Sequence, residues 1–320
     1  MSLEAFCDIH PESGATDRGW VEVPGIDPPW RLPVVVARGA KPGPTLAVTA
    51  GIHACGYAPI EAVRRFVVSI DGTHLRGVVV AVLLVNTPGF PARTVFVNPR
   101  DGKNINRAFP GSKTGSPAER VTDFLMTELV ANVDAYVDCR GGDMIEAIVP
   151  FTMWTRTGDS EVDSTSEQMA AAYGTSMIFA GSLKSTRGTS IGEAAALGIP
   201  SMLGEAGQQG VCDEGSINIH VRGLQTVLEV LGMVDARHHK AAPRVMAEIQ
   251  VVAAAIAGAF HSAVSVGDTV TAGQKVGEVT DIFGEVLEEA VAPKSGIVIC
   301  LLTGLAVSAG EVLVEIGVPD

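Results

Sequence analysis

One histidine, His53, stands where an apolar run gives way to an amphipathic one, in the segment TAGIHACGYAPIEAV (49–63). An imidazole at such a turn can bind a metal ion, transfer a proton or cap a helix. A hydrolytic zinc site also needs further protein ligands around one open position. Gly56, three residues after His53, offers no side chain where such a site needs a carboxylate. Three hypotheses follow: half of a metal site, a site rebuilt for other chemistry, or a histidine that caps a helix.

Three further polar segments lie beyond apolar runs of strand length. They are NPRDGKNINRAFPG (98–111), RGGD (140–143) and GEAGQQG (204–210). Ligands of open α/β sheets bind beyond the carboxyl ends of the strands, so we expect these segments to meet His53 at one edge of a sheet. Their candidate side chains for chemistry are Asn106, Arg107, Arg140 and Glu205.

Strand-like runs alternate along the chain with amphipathic stretches of helix length. The apolar runs cover 32–39, 45–51, 77–86, 133–139, 175–181 and 199–205. Apolar residues recur at three- and four-residue spacing in 58–70, 116–133 and 215–233. This alternation predicts an α/β fold with a mixed, mainly parallel sheet flanked by helices, which we assign to residues 1–243.

The pattern changes near residue 244. From there to residue 320 the chain has short valine-rich runs interrupted by glycine, which predicts a small all-β barrel or sandwich domain. GDTVTAGQKVGEV and VAPKSGIV resemble the half-barrels of lipoyl and biotinyl carrier domains. Lys294 lies outside the tight turn that a carrier lysine needs, so we interpret this region as an accessory domain. His238 and His239, just before it, are expected in a solvated loop.

Composition excludes several classes of partner. The formal net charge is −13, from 36 acidic and 23 basic residues, which argues against nucleic acid or an anionic membrane surface. No apolar run reaches transmembrane length, and the N-terminus lacks the pattern of a signal peptide. Five dispersed cysteines predict no disulfide framework. We therefore expect a cytoplasmic protein with a small-molecule substrate, and exposed sheet edges that favour a homo-oligomer.

The four polar segments, in this order and spacing, resemble the succinylglutamate desuccinylase/aspartoacylase family, a branch of the zinc carboxypeptidase fold. DGKNINRAFPG is the most specific piece, and HVRGLQTVLEVLGM (220–233) is also similar to bacterial members. The resemblance covers nearly the whole chain. It implies a zinc hydrolase that cleaves an N-acyl amino acid, with zinc held by an H-x-x-E turn and a second histidine. It also implies a glutamate base near E-x-G and an Asn-Arg pair that grips the substrate carboxylate.

Carried over residue by residue, the resemblance gives roles to several side chains of this sequence. His53 matches the first zinc ligand and Glu205 the general base. Asn106 and Arg107 match the carboxylate clamp. The family arginine that polarises the scissile carbonyl falls on Phe96 in the preceding loop, and the nearby Arg93 is the candidate for its role.

Two of the three implied zinc ligands are replaced. The ligand glutamate falls on Gly56 and the second histidine on Arg140. One imidazole is too few ligands for catalytic zinc, and a guanidinium repels a dication by roughly several kcal/mol at an effective dielectric constant near 20. We therefore favour no metal cofactor; a substitute zinc site would use His53 with Cys55 or Asp143.

The replacements suggest other chemistry. Arg140 can hold a carboxylate or stabilise an oxyanion. Cys55 near His53 and Arg140 is expected to have a lowered thiol pKa, which would complete a Cys–His–Glu acyl-transfer group with Glu205. The alternatives are a buried, inert Cys55, a helix-capping His53, and an Asp143 that pairs with Arg140.

Three function classes remain open. The first is an enzyme on the deacylase scaffold that acts at an amide-type C–N bond of a small carboxylate-bearing substrate without zinc, by hydrolysis, acyl transfer or condensation. The second is a zinc-dependent amidohydrolase with substitute ligands. The third is a non-catalytic protein that binds a dicarboxylate through Arg107 and Arg140.

Overall fold

A computed structural model describes residues 4–236 and 243–320. The helices are α1 Tyr57–Val68, α2 Gly89–Ala92, α3 Pro117–Phe124, α4 Ser160–Ala172, α5 Ser190–Ala196 and α6 Glu214–Val230. The strands before α6 are β1 Thr16–Val23, β2 Trp30–Arg38, β3 Lys41–Ala50, β4 Arg76–Val82, β5 Ala135–Arg140, β6 Glu146–Ile148, β7 Phe151–Arg156, β8 Met177–Ser182 and β9 Ser201–Glu205. The strands after it are β10 Arg244–Ala253, β11 Gly258–Ser262, β12 Thr269–Val270, β13 Lys275–Thr280, β14 Val286–Val291, β15 Gly296–Leu302, β16 Ala306–Val307 and β17 Val312–Pro319.

Within the described ranges, one mixed sheet of thirteen strands runs through the molecule. Its order is β1-β2-β4-β3-β5-β9-β7-β8-β10-β17-β15-β12, and β6 pairs with β15. The centre, β4-β3-β5-β9, is parallel, whereas β2 pairs antiparallel with β4 and β7 antiparallel with β9. The predicted α/β fold with a mixed sheet is confirmed.

Helices cover both faces of the central strands because those strands are apolar on both sides. Along β4, Val78 and Val80 belong to the core beneath α3 and α5. Val79 and Ala81 of the same strand belong to the opposite core, beneath α1, α4 and α6. Among the described helices, none is long and apolar enough to span a membrane.

The C-terminal region is all-β, as predicted. A second sheet of four strands, β14-β13-β11-β16, packs with the edge of the large sheet around a separate apolar cluster. The predicted boundary at 243/244 falls at the start of β10, and β10 pairs with both β8 and β17, so the large sheet is continuous across it. His238 and His239 lie outside the described residues.

Candidate active site

The carboxyl ends of three adjacent parallel strands bring the predicted residues together. β5 lies between β3 and β9, and its last residue, Arg140, is in register with Glu205, the last residue of β9. His53 follows the end of β3 by three residues. The expectation that His53, Arg140 and Glu205 meet at one sheet edge is confirmed by these contacts and registers.

Arg140 is the centre of this cluster. Its Nη2 lies 3.1 Å from His53 Nδ1, its Nε lies 3.3 Å from Glu205 Oε1, and its Nη1 lies 3.8 Å from Asp138 Oδ2. The Nη1 atom has no hydrogen-bond partner, and only 10% of the side chain is exposed. Nη2 and Nε therefore contact neighbouring protein groups, whereas Nη1 is a buried donor without a hydrogen-bond acceptor among the described residues.

The bond from Arg140 fixes the state of His53. A guanidinium only donates, so the ring that accepts from it is neutral. Nη2 lies 3.1 Å from Nδ1 and 3.4 Å from Nε2, and we assign the closer nitrogen, Nδ1, as the acceptor. The Nε2–H then donates to Asn104 Oδ1 at 3.0 Å. Burial, followed by the charge of Arg140, lowers the pKa of His53 to about 3. Helix α1 begins after Gly56 without a side-chain cap, so the helix-capping interpretation of His53 is wrong.

Glu205 and Asp138 differ in how they are satisfied. Asp138 is fully buried and accepts hydrogen bonds from Thr49 Oγ1 at 3.0 Å and Ser190 Oγ at 2.6 Å. Glu205 contacts only Arg140 among these groups, and burial raises its pKa to about 8 although Arg140 opposes the shift. Both protonation states of Glu205 are therefore populated near neutral pH, which suits proton transfer.

A cavity of about 860 Å³ opens in front of this cluster, and the predicted clamp lies on its wall. Asn106 is buried, and its Oδ1 accepts a hydrogen bond from the backbone N–H of Ser190 at 3.2 Å. Arg107 is exposed to the cavity, and its Nη1 donates to the carbonyl of Asn106 at 2.9 Å.

Cys55 does not belong to the cluster. It is buried outside the cavity wall, its Sγ lies 3.6 Å from the carbonyl oxygen of Thr94, and Tyr57 donates to it at 3.9 Å. Burial, with the charge of Asp143, raises the pKa of its thiol. The predicted thiolate is therefore wrong, because Cys55 faces Asp143 and a carbonyl instead of Arg140.

Asp143 and Arg93 also differ from expectation. The Asp143 carboxylate is buried and accepts from the backbone N–H groups of Phe96 and Met144, each at 2.7 Å, so it fastens a loop and makes no ion pair with Arg140. Arg93 does not line the cavity; Phe96 does, and its ring lies edge-on to His53 at 5.5 Å. Cys139, next to Arg140 in β5, points into the opposite core, where its Sγ lies 3.4 Å from the hydroxyl of Tyr173.

Comparison with known families identifies the scaffold. Residues 42–231 match the model of the succinylglutamate desuccinylase/aspartoacylase catalytic domain, which is more than half of the chain. The chain belongs to this family. It is thus an enzyme of the deacylase type, and its matched segment contains His53, Asn106, Arg107, Arg140 and Glu205.

Individual relatives agree with this family membership. The N-alpha-acetyl-L-2,4-diaminobutyric acid deacetylase of Halomonas elongata is 26% identical over 297 residues, which cover 89% of this chain and 85% of the relative. A product-bound structure of the ectoine utilization protein from Ruegeria pomeroyi aligns with a TM-score of 0.87 at 21% identity over 97% of this chain and 98% of that one. A succinylglutamate desuccinylase/aspartoacylase from Rhodobacter sphaeroides aligns at 0.85 with 22% identity, covering 99% and 100% of the two chains.

The zinc site implied by the family resemblance does not fit the residues present. No group of three or more His, Cys, Asp or Glu side chains in the described ranges is placed to hold a metal ion. Of the substitute ligands, Cys55 lies against the carbonyl oxygen of Thr94 and Asp143 accepts from two backbone N–H groups. The Nδ1 lone pair of His53 accepts from Arg140. At Gly56 a Cβ atom would meet its nearest neighbours at 3.5 to 3.7 Å, so the position has room for a side chain that the sequence does not supply.

Sequence reasoning missed several residues of the cavity wall, among them Glu146, Cys300 and Glu315. Glu146 belongs to β6, Cys300 to β15 and Glu315 to β17. The Sγ of Cys300 lies 3.9 Å from Glu146 Oε1, and burial raises the pKa of both carboxyls, that of Glu315 to about 7. Only Glu146 follows a recognised motif, RGGD; the other two come from the region interpreted as an accessory domain.

Proposed function

We propose that this enzyme acts at the amide-type C–N bond of a small, carboxylate-bearing N-acyl amino acid, and that it does so without zinc. The observation that supports this proposal is the position of Arg140. Its guanidinium lies on the cavity wall, in contact with the remaining ligand histidine, His53, and with the family's base, Glu205. A fixed positive charge therefore stands beside the groups that would otherwise surround a metal ion.

The substrate carboxylate would bind at Arg107. The exposed guanidinium donates only to the carbonyl of Asn106 among the described contacts, which leaves other N–H groups free for a ligand. A planar guanidinium can donate two parallel hydrogen bonds to a carboxylate, and such pairs fix orientation as well as adding affinity. The relative from Halomonas elongata is named for a substrate of this class, an N-acetylated amino acid.

Glu205 would move the proton that amide hydrolysis requires. As a carboxylate it accepts a proton from water while the water oxygen bonds to the acyl carbon; as a carboxylic acid it then donates that proton to the departing nitrogen. The positive charge of Arg140 stabilises the negative charge that develops on the carbonyl oxygen. Hydrolysis is the default reaction, and transfer of the acyl group to a second amine would use the same groups.

The test is amine release from N-acetyl-2,4-diaminobutyrate, N-acetylaspartate and N-succinylglutamate by protein treated with a chelator. We expect turnover of at least one compound, no loss of activity on chelation, and no gain on adding zinc. Glu205→Gln should lower kcat by a factor of about 100 or more, since it removes the proton-transfer group. Glu289→Gln, an exposed carboxylate on β14, is the matched control and should leave kcat unchanged.

Two results would contradict the proposal. Activity that disappears on chelation and returns with zinc would restore the metal-dependent reading. Tight binding of these compounds with no amine release would identify a carboxylate-binding protein that uses Arg107 without catalysis.

A further inference from the structure

Two opposite charges on the cavity wall lack an ion-pair partner. Arg107 and Glu315 both line the cavity, and in the part of the chain that the structure describes neither forms a salt bridge. Arg107 makes one hydrogen bond, to the backbone carbonyl of Asn106, and the Glu315 carboxylate makes none within residues 4–236 and 243–320.

The two side chains interact without touching. The charge of Arg107 lowers the pKa of Glu315, which burial and the neighbouring Glu146 raise, so the two groups lie within electrostatic range across the cavity. They come from distant parts of the sequence: Arg107 ends the turn Ile105–Arg107, and Glu315 lies in the middle of β17. The fold thus places a cation and an anion on the wall of one cavity without a direct contact between them.

The other charged side chains of the described cavity wall do not pair with Glu315. No lysine is among the described residues that line the cavity, and its other arginines are Arg140, which is already surrounded, and Arg156, which lies over the Trp154 ring. Glu146, the nearest acidic neighbour, is partly committed, because its Oε2 accepts from the backbone N–H of Asp143 at 2.9 Å. The other carboxylates of the wall also have partners: Glu205 lies against Arg140, Glu248 pairs with Lys294, and Glu311 accepts from the backbone N–H of Ser308. Among the described lining residues, Glu315 is therefore the carboxylate that remains available to a ligand.

We propose that Glu315 binds a cationic amino group of the substrate while Arg107 binds its carboxylate, so that the enzyme takes N-acyl derivatives of diamino acids. This inference rests on the proposed function for the identity of the site, and it adds the second charge of the ligand. A carboxylate removed from water without a partner is unfavourable, and a ligand ammonium group supplies that partner. Neutral N-acyl amino acids of the same length would leave Glu315 unpaired.

The test compares two ligands that differ only in that charge: N-acetyl-2,4-diaminobutyrate, and N-acetylnorvaline, in which a methyl group replaces the ammonium group. Isothermal titration gives their dissociation constants, and amine release under the same conditions gives turnover. Wild-type protein should prefer the diamino compound by about tenfold or more, the size expected for one charge-assisted contact. Glu315→Gln should abolish the preference, and Glu289→Gln should preserve it.

The Arg107→Gln variant is a second test, and it does not depend on Glu315. The substitution should lower the affinity for both ligands by the same factor, because both ligands carry the carboxylate. Equal affinity of the wild-type protein for the two ligands would overturn the inference even if Glu315→Gln failed to fold, and so would a preference that survives Glu315→Gln. A preference for the diamino compound without amine release would contradict the proposed function and support the cationic subsite. Amine release without that preference would support the proposed function and contradict the cationic subsite.

Discussion

Both halves of the cavity wall carry charged side chains, but the two halves differ in whether those charges have protein partners. In the first half, His53 and Glu205 each contact Arg140, and Asp138 lies 3.8 Å from the same guanidinium. In the second half, Arg107 and Glu315 face the cavity with no ion pair among the described residues. The first half is a closed network, whereas the second is open to a ligand.

This difference separates what holds the site together from what recognises a substrate. The closed half stands where the family resemblance places a metal, and there a guanidinium links the remaining ligand histidine to the family's base. Because its charged members lie against one another, removing one leaves a buried charge uncompensated. Removing a member of the open half should change ligand binding with little loss of stability.

The largest expected effect comes from rebuilding the implied ligand set in the closed half. Gly56 has room for a side chain and a backbone φ of −75°, which any residue adopts, so Gly56→Glu with Arg140→His would supply three ligands together with His53. We expect the double variant to hold about one zinc ion per chain after dialysis and the wild type to hold none. Elemental mass spectrometry measures this directly, and Arg140→His alone is the control. A double variant that stays free of zinc would contradict the residue-by-residue match.

The next largest effect is the difference between the stability lost by a substitution in the closed half and that lost by one in the open half. Arg140→Met leaves Glu205 and Asp138 without their cation and should lower the free energy of unfolding by about 3 kcal/mol or more. Arg107→Met removes an exposed cation with no ion pair and should change it by less than about 0.5 kcal/mol. Urea denaturation followed by circular dichroism measures both. Equal losses would show that the two halves are not distinct.

A pH-dependent effect should appear at Glu315. The pKa of this carboxyl is raised from 4.5 to about 7 in the folded protein, so the folded state binds the proton more tightly than the unfolded state. The favourable contribution is complete below pH 4.5 and is lost as the pH rises through 7. The free energy of unfolding of Glu315→Gln, relative to wild type, should therefore be higher at pH 8 than at pH 5. We expect this change to be about 1 to 3 kcal/mol for a partly exposed group.

The control for this measurement is Glu289→Gln, which should show the same difference from wild type at both pH values. Urea denaturation at pH 5 and at pH 8 gives the free energy of unfolding of the wild type and of both variants. A Glu315→Gln profile parallel to that of the wild type would mean that the carboxyl is solvated in the folded protein.

The smallest expected effect is at Cys55. The thiol is buried outside the cavity and its pKa is raised, so Cys55→Ala should leave kcat/KM within about twofold of wild type and cost about 1 kcal/mol of stability for the lost packing. Amine release measures the activity of the variant, and the alkylation rate of the wild-type protein measures how accessible and reactive the Cys55 thiol is. A large loss of kcat at unchanged stability would return Cys55 to the list of nucleophiles.

Short-range sequence pattern predicted much of the fold. The runs at 45–51 and 199–205 correspond to β3 and β9, and the stretch at 58–70 to α1, since burial on one or both faces leaves a period that can be read locally. The stretch at 116–133 was less well predicted. It begins as α3 but continues as a π-helical turn, Leu125–Leu129, whose apolar spacing is close to that of an α-helix. Strand β7 was missed, because its mixture of Thr, Trp and Arg lacks a continuous apolar run.

The sequence by itself determined the α/β class, the C-terminal all-β region and the loss of two implied zinc ligands. It also determined the meeting of His53, Arg140 and Glu205, because each of these residues lies at or just beyond the carboxyl end of a recognisable strand. Only the tertiary structure decided which way a side chain faces and which distant segments share a cavity. Cys55 lies two residues from His53 yet faces Asp143, while Glu315 lies more than 200 residues beyond Arg107 and faces the same cavity. Those outcomes depend on strand pairing between remote segments, and that pairing fixes charge, burial and contact together.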